Sequence, residues 1–191
     1  MKPSPWPLVA ALCLWVAWFV SWMIARAWSK PTVARPIRET ERLYIAVAYA
    51  GVVLLFGSVV HTRLFPKLLD LPTGLQWGTL ALEAAGFAFC WWARLHLAGN
   101  WSWEVTRKDD HKIVDTGPYG FVRHPIYVGL IVAALATALL IGKATSLLAV
   151  ALIALGFWLK ARLEERFLTA ELGEQAYAEY ARRIGMLLPR L

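Results

Sequence analysis

The residues of this chain best suited to chemistry lie at the start of an apolar stretch, in "GPYGFVRHPIYVG", residues 117–129. Gly117 predicts a turn. His124 precedes Pro125, which disfavours helix at His124, whereas Pro125 itself suits the first turn of a helix. Arg123 and His124 are therefore predicted at a helix N-terminus, where unpaired N–H groups and the helix dipole favour an anion such as a carboxylate or a phosphate.

A second segment of chemical interest begins where a later apolar stretch ends, with the paired carboxylates Glu164 and Glu165. Two carboxylates at a membrane edge are suited to a cationic group. A ligand that carries both a carboxylate and positive charges would use this pair together with Arg123 and His124. S-adenosylmethionine is such a ligand, because it has a carboxylate, an ammonium and a sulfonium, and charge matching suggests it as the cofactor. No metal is needed for that chemistry.

Five apolar blocks must position these two segments. The chain is 59% hydrophobic, against about 45–50% in soluble domains, and a helix of about 20 apolar residues crosses a bilayer. The last two blocks are shorter than that and predict a helical hairpin over 126–160. The blocks are Trp6–Trp28, Leu43–Val60, Leu75–Leu97, Ile126–Ile141 and Ala144–Leu159.

This pattern predicts an all-α integral membrane protein with about five transmembrane helices, a cofactor-binding loop on the cytosolic side and a C-terminal helical tail. Residues 1–191 are expected to form a single membrane domain. Within it, residues 1–97 supply three N-terminal transmembrane helices. Residues 98–191 supply the core that carries the chemistry, with its hairpin and its cytosolic tail.

The net charge of +7 fits a membrane protein better than a nucleic-acid-binding protein, because the basic residues lie mainly between the apolar blocks. Most of the 20 basic residues fall in the segments 26–42, 94–123 and 160–190, which share one side if five spans alternate. The positive-inside rule places that side in the cytoplasm, with the N-terminus outside. We expect membrane lipids as partners and no nucleic acid. The small size predicts a prokaryotic inner membrane.

The sequence "HKIVDTGPYGFVRHPIY", followed by "EERFLTAELGEQAYAEY" and a final "LLP", resembles the isoprenylcysteine carboxyl methyltransferase family and the related phospholipid methyltransferases. The resemblance covers about residues 94–191. It implies an integral membrane methyltransferase that binds S-adenosylmethionine at the cytosolic face. The methyl acceptor would be a lipophilic small molecule or a lipid-anchored group that enters from the bilayer.

The resemblance and the charge pattern together nominate two sets of site residues. The predicted catalytic set is Arg123, Lys160, Arg162 and Glu164. The predicted cofactor-binding set is Glu104, His111, Lys112, Ile113, Val114, Gly117, Tyr119, His124, Pro125, Ile126, Tyr127, Glu164 and Glu165.

Two of these positions depart from the family pattern. Glu104 stands where the family has a glutamine-like cofactor contact. Lys160 stands near the position of the family's substrate-facing arginine, with Arg162 two residues further on. Because a lysine cannot form the bidentate contact that an arginine makes with a carboxylate, the acceptor stays open. It is an isoprenylcysteine-type carboxylate, or an amine or a thiol on another lipophilic molecule.

Three other functions compete with this one. A phospholipid amine N-methyltransferase is the nearest. A membrane sterol-type reductase that uses NADPH would need basic residues for the 2′-phosphate, for which only Arg107 and Lys108 are candidates, and the chain is short for that class. The third is a membrane protein without catalytic activity.

Glu83 lies within the third apolar block. An ionisable side chain at membrane depth is costly unless it has a partner. We expect it to form a hydrogen bond to a neighbouring helix.

Overall fold

The computed structural model describes residues 5–28, 32–34, 41–60, 66–98, 107–108, 114–172 and 174–190. It confirms the predicted all-helical architecture and adds one short pair of antiparallel strands. The helices are α1 (Trp6–Ala25), α2 (Arg42–Val60), α3 (Thr73–Leu97), α4 (Pro125–Ile141), α5 (Ala144–Leu172) and α6 (Glu174–Arg183). The strands are β1 (Thr32–Ala34) and β2 (Arg107–Lys108).

Several of these helices have the length and hydropathy of membrane spans. Three of them qualify by both criteria: Trp6–Trp28, Arg42–Val60 and Ala144–Ala170. The helix α4 is apolar but has only 17 residues. The helix α3 has 25 residues and carries two fully buried charged residues, Glu83 and Arg94. The chain is an integral membrane protein.

The connections between helices alternate between the two ends of the bundle. At one end, β1 from the loop after α1 pairs with β2 from the loop after α3, and Arg94 Nη2 donates a hydrogen bond to Ala25 O at 2.8 Å. At the opposite end, the backbone N–H groups of Leu68 and Leu69 both donate to Gly142 O. The loops expected to share one side therefore do so, and the assignment of that side to the cytoplasm stays a prediction.

Glycine allows the backbones of α3 and α4 to approach closely. A Cβ on Gly86 would lie 2.7 Å from Gly129 O, and a Cβ on Gly129 would lie 2.6 Å from Gly86 O. A second close approach joins α2 to α5, where a Cβ on Gly156 would lie 2.7 Å from Ala48 Cβ. Small residues at such crossings are typical of membrane helices, which associate through packing and interhelical hydrogen bonds.

The hydroxyl of Thr137 links three helices in the interior of the bundle, with Glu83 as its partner on α3. Thr137 Oγ1 of α4 donates to Glu83 Oε2 of α3 at 3.0 Å. The same hydroxyl oxygen accepts a hydrogen bond from Trp15 Nε1 of α1 at 2.9 Å. The expectation that Glu83 forms a hydrogen bond to a neighbouring helix is confirmed.

Replacing the central hydroxyl of this network should destabilise the bundle. Thr137→Val keeps the side-chain volume but removes the partner of both Glu83 and Trp15. We expect a loss of about 1 kcal/mol or more in the free energy of unfolding, because buried polar groups left unpaired are costly. Unfolding by SDS in mixed micelles measures it. The matched control is Thr79→Val, whose hydroxyl donates to Gln76 O of its own helix. Equal stability of the two variants would contradict the prediction.

Candidate functional site

The site is built on the second half of α5, which does not stop where the predicted apolar block ends. The sequence suggested that the apolar block ends at Leu159 and that a separate tail follows. Instead α5 continues without a break through 29 residues to Leu172. Residues four apart on a helix lie on the same face, so Lys160 and Glu164 are neighbours there.

Tyr127 in the first turns of α4 contacts both of these α5 residues. Its hydroxyl donates a hydrogen bond to Glu164 Oε1 at 2.6 Å. Lys160 Nζ lies 5.3 Å from the centroid of the same ring and 5.8 Å from the ring of Tyr44 on α2. A negative and a positive group therefore flank one aromatic ring at the end of the bundle.

His124 lies between the two carboxylates. Its Nε2 is 3.0 Å from Glu165 Oε1, and its Nδ1 is 3.4 Å from Glu164 Oε2. The imidazole is stacked on Tyr127, with ring centroids 5.3 Å apart, and Tyr127 is stacked in turn on Phe157 at 4.8 Å. Only 9% of the His124 side chain is exposed.

The two carboxylates favour the charged form of this histidine. Burial alone would lower the pKa of His124, but hydrogen bonds and the charges of Glu164 and Glu165 raise it above its ordinary value of 6.5. The nearby cations Arg123 and Lys160 do not reverse that direction. The site therefore favours the imidazolium over the neutral imidazole.

This raised pKa predicts a pH dependence. The stabilisation from His124 is fully present below its unfolded pKa and is lost as the pH rises through its higher folded pKa. We expect the thermal midpoint of the wild type to fall on the alkaline side of about pH 6.5. The variant His124→Gln should lose that part of the dependence, so overlapping profiles of the two proteins would contradict the prediction. Melting curves in detergent at several pH values measure it.

The guanidinium of Arg123 contacts α5 and the C-terminal segment. Its Nε and Nη2 donate to Oε1 and Oε2 of Glu165 at 2.8 and 2.9 Å, which is a bidentate ion pair. Its Nη1 donates to Ala181 O at 3.0 Å and also to Ile184 O. Arg123 therefore ties the start of α4 to two other parts of the chain.

The backbone donors before α4 also face the C-terminal segment. The N–H of Arg123 donates to Gly185 O at 2.8 Å, and the N–H of His124 donates to Met186 O at 3.2 Å. These N–H groups directly precede the helix N-terminus for which the sequence suggested an anion. In the structure their acceptors are carbonyl oxygens of the chain itself.

A short 3₁₀ turn, Gly117–Gly120, leads into this segment. Gly117 has φ of +56°, and a Cβ there would lie 2.3 Å from Nε2 of His96, so the position requires glycine. Tyr119 is buried, and its carbonyl accepts a hydrogen bond from Tyr180 Oη at 3.0 Å.

The structure brings six of the nominated residues into one cluster: Arg123, His124, Tyr127, Lys160, Glu164 and Glu165. Val114, Gly117 and Tyr119 lie on the segment before α4. Pro125 and Ile126 are buried in its first turn, and Ile126 packs in the apolar core. Glu104, His111, Lys112 and Ile113 lie outside the described residues.

Arg162 is not part of this cluster. It is exposed and its guanidinium lies over the ring of Trp158 at 5.1 Å. Sequence reasoning missed Tyr44, which is buried and contacts Lys160 from α2. Its only signal in the sequence is an aromatic residue near the end of a span, which is common in membrane proteins.

The cluster is suited to a ligand with charges of both signs. It combines two carboxylates with three cationic side chains and aromatic rings, mostly shielded from water. Among the described parts of the chain, no group of three His, Cys, Asp or Glu side chains is placed to hold a metal ion.

Residues 79–170 match the model of the isoprenylcysteine carboxyl methyltransferase (ICMT) family. The cobalt-zinc-cadmium resistance protein CzcN of Cupriavidus metallidurans is 34% identical over 157 residues, which cover 77% of this chain and 62% of that protein. The protein-S-isoprenylcysteine O-methyltransferase of Schizosaccharomyces pombe is 34% identical over 84 residues, 44% of this chain and 35% of that enzyme. Its counterpart in Saccharomyces cerevisiae is 30% identical over 112 residues, 58% of this chain and 42% of that enzyme.

In each case the match spans less than two thirds of the relative's own length. The family match runs from α3 to the end of the α5 span and so contains the whole cluster around His124. Through residues 79–170, the chain is similar to the isoprenylcysteine carboxyl methyltransferase family.

Proposed function

We propose that this chain is an integral membrane methyltransferase that uses S-adenosylmethionine and methylates a lipophilic acceptor at the cytosolic membrane face. The observation that carries the proposal is the cluster of His124, Tyr127, Lys160 and Glu164, which lies where α4 and α5 reach the edge of the bundle. It lies within the residues that match the family model.

The side chains of the cluster fit the charged groups of S-adenosylmethionine. Glu164 is the partner for the ammonium or the sulfonium. The rings of Tyr127 and Tyr44 add cation-binding faces. When bound, the cofactor supplies an electrophilic methyl group. Val114 and Tyr119, in the segment before α4, would also contact the cofactor. The resemblance implies the same role for Glu104, His111, Lys112 and Ile113.

The protein's own contribution is to orient the reactants and to exclude water. The cofactor approaches from the aqueous side, and the acceptor approaches from the lipid beside α2, α4 and α5. Holding the nucleophile close to the methyl group in a site shielded from water is an effective way to accelerate such a transfer. A carboxylate acceptor needs no general base, which fits a site whose carboxylates already have partners.

The acceptor that we propose is an isoprenylcysteine-type carboxylate. Two of the relatives are named protein-S-isoprenylcysteine O-methyltransferases, which favours an isoprenylcysteine-type carboxylate. Lys160 offers a single ammonium to that carboxylate and cannot form the bidentate contact of an arginine guanidinium. The alternative is therefore a phospholipid amine.

Calorimetric titration of the detergent-purified protein tests the cofactor. We expect S-adenosylmethionine to bind and NADPH not to bind. Binding of NADPH alone would support a reductase instead, and a folded protein that binds neither would overturn the proposal. Transfer of a labelled methyl group to a prenylcysteine carboxylate or to phosphatidylethanolamine then distinguishes the two acceptor classes.

A further inference from the structure

The C-terminal segment 177–186 lies against the start of α4. We propose that Arg123 and Glu165 form a latch that docks this segment, and that both are positioning residues which contact neither cofactor nor acceptor. The inference rests on the proposed function, because it concerns how the same site is held together. It differs from the expectation that Arg123 is catalytic and that Glu165 binds the cofactor.

Most of the hydrogen-bonding groups of Arg123 and Glu165 already have partners within the chain. Arg123 donates four hydrogen bonds, two to Glu165 and two to carbonyl oxygens of the C-terminal segment, out of the five donors that a guanidinium has. Both oxygens of Glu165 accept from Arg123, and Oε1 also lies 3.0 Å from His124 Nε2. The two side chains are only 8% and 15% exposed. A ligand would have to break this buried pair to reach either residue.

The docked segment has a defined shape. A Cβ on Gly185 would lie 1.9 Å from Leu188 O, so the turn at this point requires glycine. The carbonyls of Gly185 and Met186 then accept the backbone N–H groups of Arg123 and His124. The latch thus fixes a rigid turn over the N-terminus of α4.

His124 connects the latch to the group proposed to bind the ligand. Its Nε2 contacts Glu165, and its Nδ1 contacts Glu164. Glu164 keeps an independent hydrogen bond from Tyr127. Loss of the latch should therefore release the C-terminal segment and loosen His124, while Glu164 stays in place.

Hydrogen exchange of the ligand-free full-length protein in detergent tests the latch directly. In Glu165→Gln and Arg123→Lys, we expect the amides of residues 177–186 to exchange about tenfold faster or more, because breaking a buried ion pair is strongly destabilising. The matched control is Asp115→Asn, which removes an exposed ion pair between Asp115 and Arg183 of the same segment. Exposed pairs contribute little, so its exchange should stay at the wild-type rate.

Kinetics with S-adenosylmethionine separate positioning from direct contact. For Glu165→Gln we expect KM for the cofactor to rise about tenfold, with kcat at saturation within about threefold of wild type. Loss of cofactor binding with unchanged exchange of 177–186 would mean direct contact and would overturn the latch. Unchanged exchange and unchanged kinetics would overturn it as well. Faster exchange in a protein whose wild type binds no S-adenosylmethionine would support the latch and contradict the proposed function.

Discussion

Glu164→Gln should weaken the binding of S-adenosylmethionine by about 100-fold, which corresponds to about 2.7 kcal/mol. Glutamine preserves the size of the side chain and can still accept a hydrogen bond from Tyr127. It removes the negative charge that we assign to the ammonium or sulfonium and that also faces His124. Hydrogen bonds between charged groups are about twice as strong as neutral ones, and little water reaches this site to screen them.

Calorimetric titration of the variant measures this loss. The charge-matched control is Glu179→Gln on α6, where the side chain is exposed and should not affect the affinity. The comparison with Glu165→Gln is also informative, since that neighbouring variant is expected to act through the C-terminal segment. Equal affinity of Glu164→Gln and wild type would exclude Glu164 as the cofactor's partner.

The second large effect is expected from Gly129→Ala, a single added methyl group at the α3–α4 crossing. That Cβ would lie 2.6 Å from both Gly86 O and Cys90 Sγ, and 3.3 Å from Cys90 N. Two of these are backbone atoms, which cannot move aside as a flexible side chain can, so the helices must separate. We expect a loss of about 2 kcal/mol in the free energy of unfolding, as for other overpacked interiors.

The matched control for this variant is Gly78→Ala in α3, where a Cβ would meet nothing within 4 Å. Alanine is favoured over glycine within a helix by about 1 kcal/mol, so Gly78→Ala should be neutral or stabilising while Gly129→Ala destabilises. Unfolding by SDS in mixed micelles gives both values. A Gly129→Ala protein as stable as wild type would contradict the close packing of α3 on α4.

Most of the fold could be predicted from the sequence because hydropathy is a local property. The predicted blocks begin and end within a few residues of α1 to α4. The prediction failed at the end of α5, where charged residues follow Leu159. Charge marks the end of an apolar stretch, but it does not end a helix. Between Lys160 and Leu172 there is no glycine or proline that would end the helix, so the helix continues.

The residue types of the site could be predicted from the sequence, but the contacts between those residues could not. Turn and capping signals indicated a charged helix start at Arg123 and His124, and adjacent carboxylates indicated a cation partner. No local pattern shows that Arg123 pairs with Glu165, or that carbonyls of a distant segment accept its other donors. Those contacts join residues 42 to 61 positions apart. They depend on the packing of the whole bundle.

The continuous helix α5 also constrains how this protein can change over evolution. Its 29 residues extend about 43 Å, from the far end of the bundle to beyond the groups around Glu164. Inserting one residue after Gly156 would turn Lys160 and Glu164 by about 100°, away from Tyr127. The face of α5 that packs on α2 and the side chains around Glu164 therefore depend on one helical register. Substitutions along this helix preserve that register, whereas an insertion or a deletion does not.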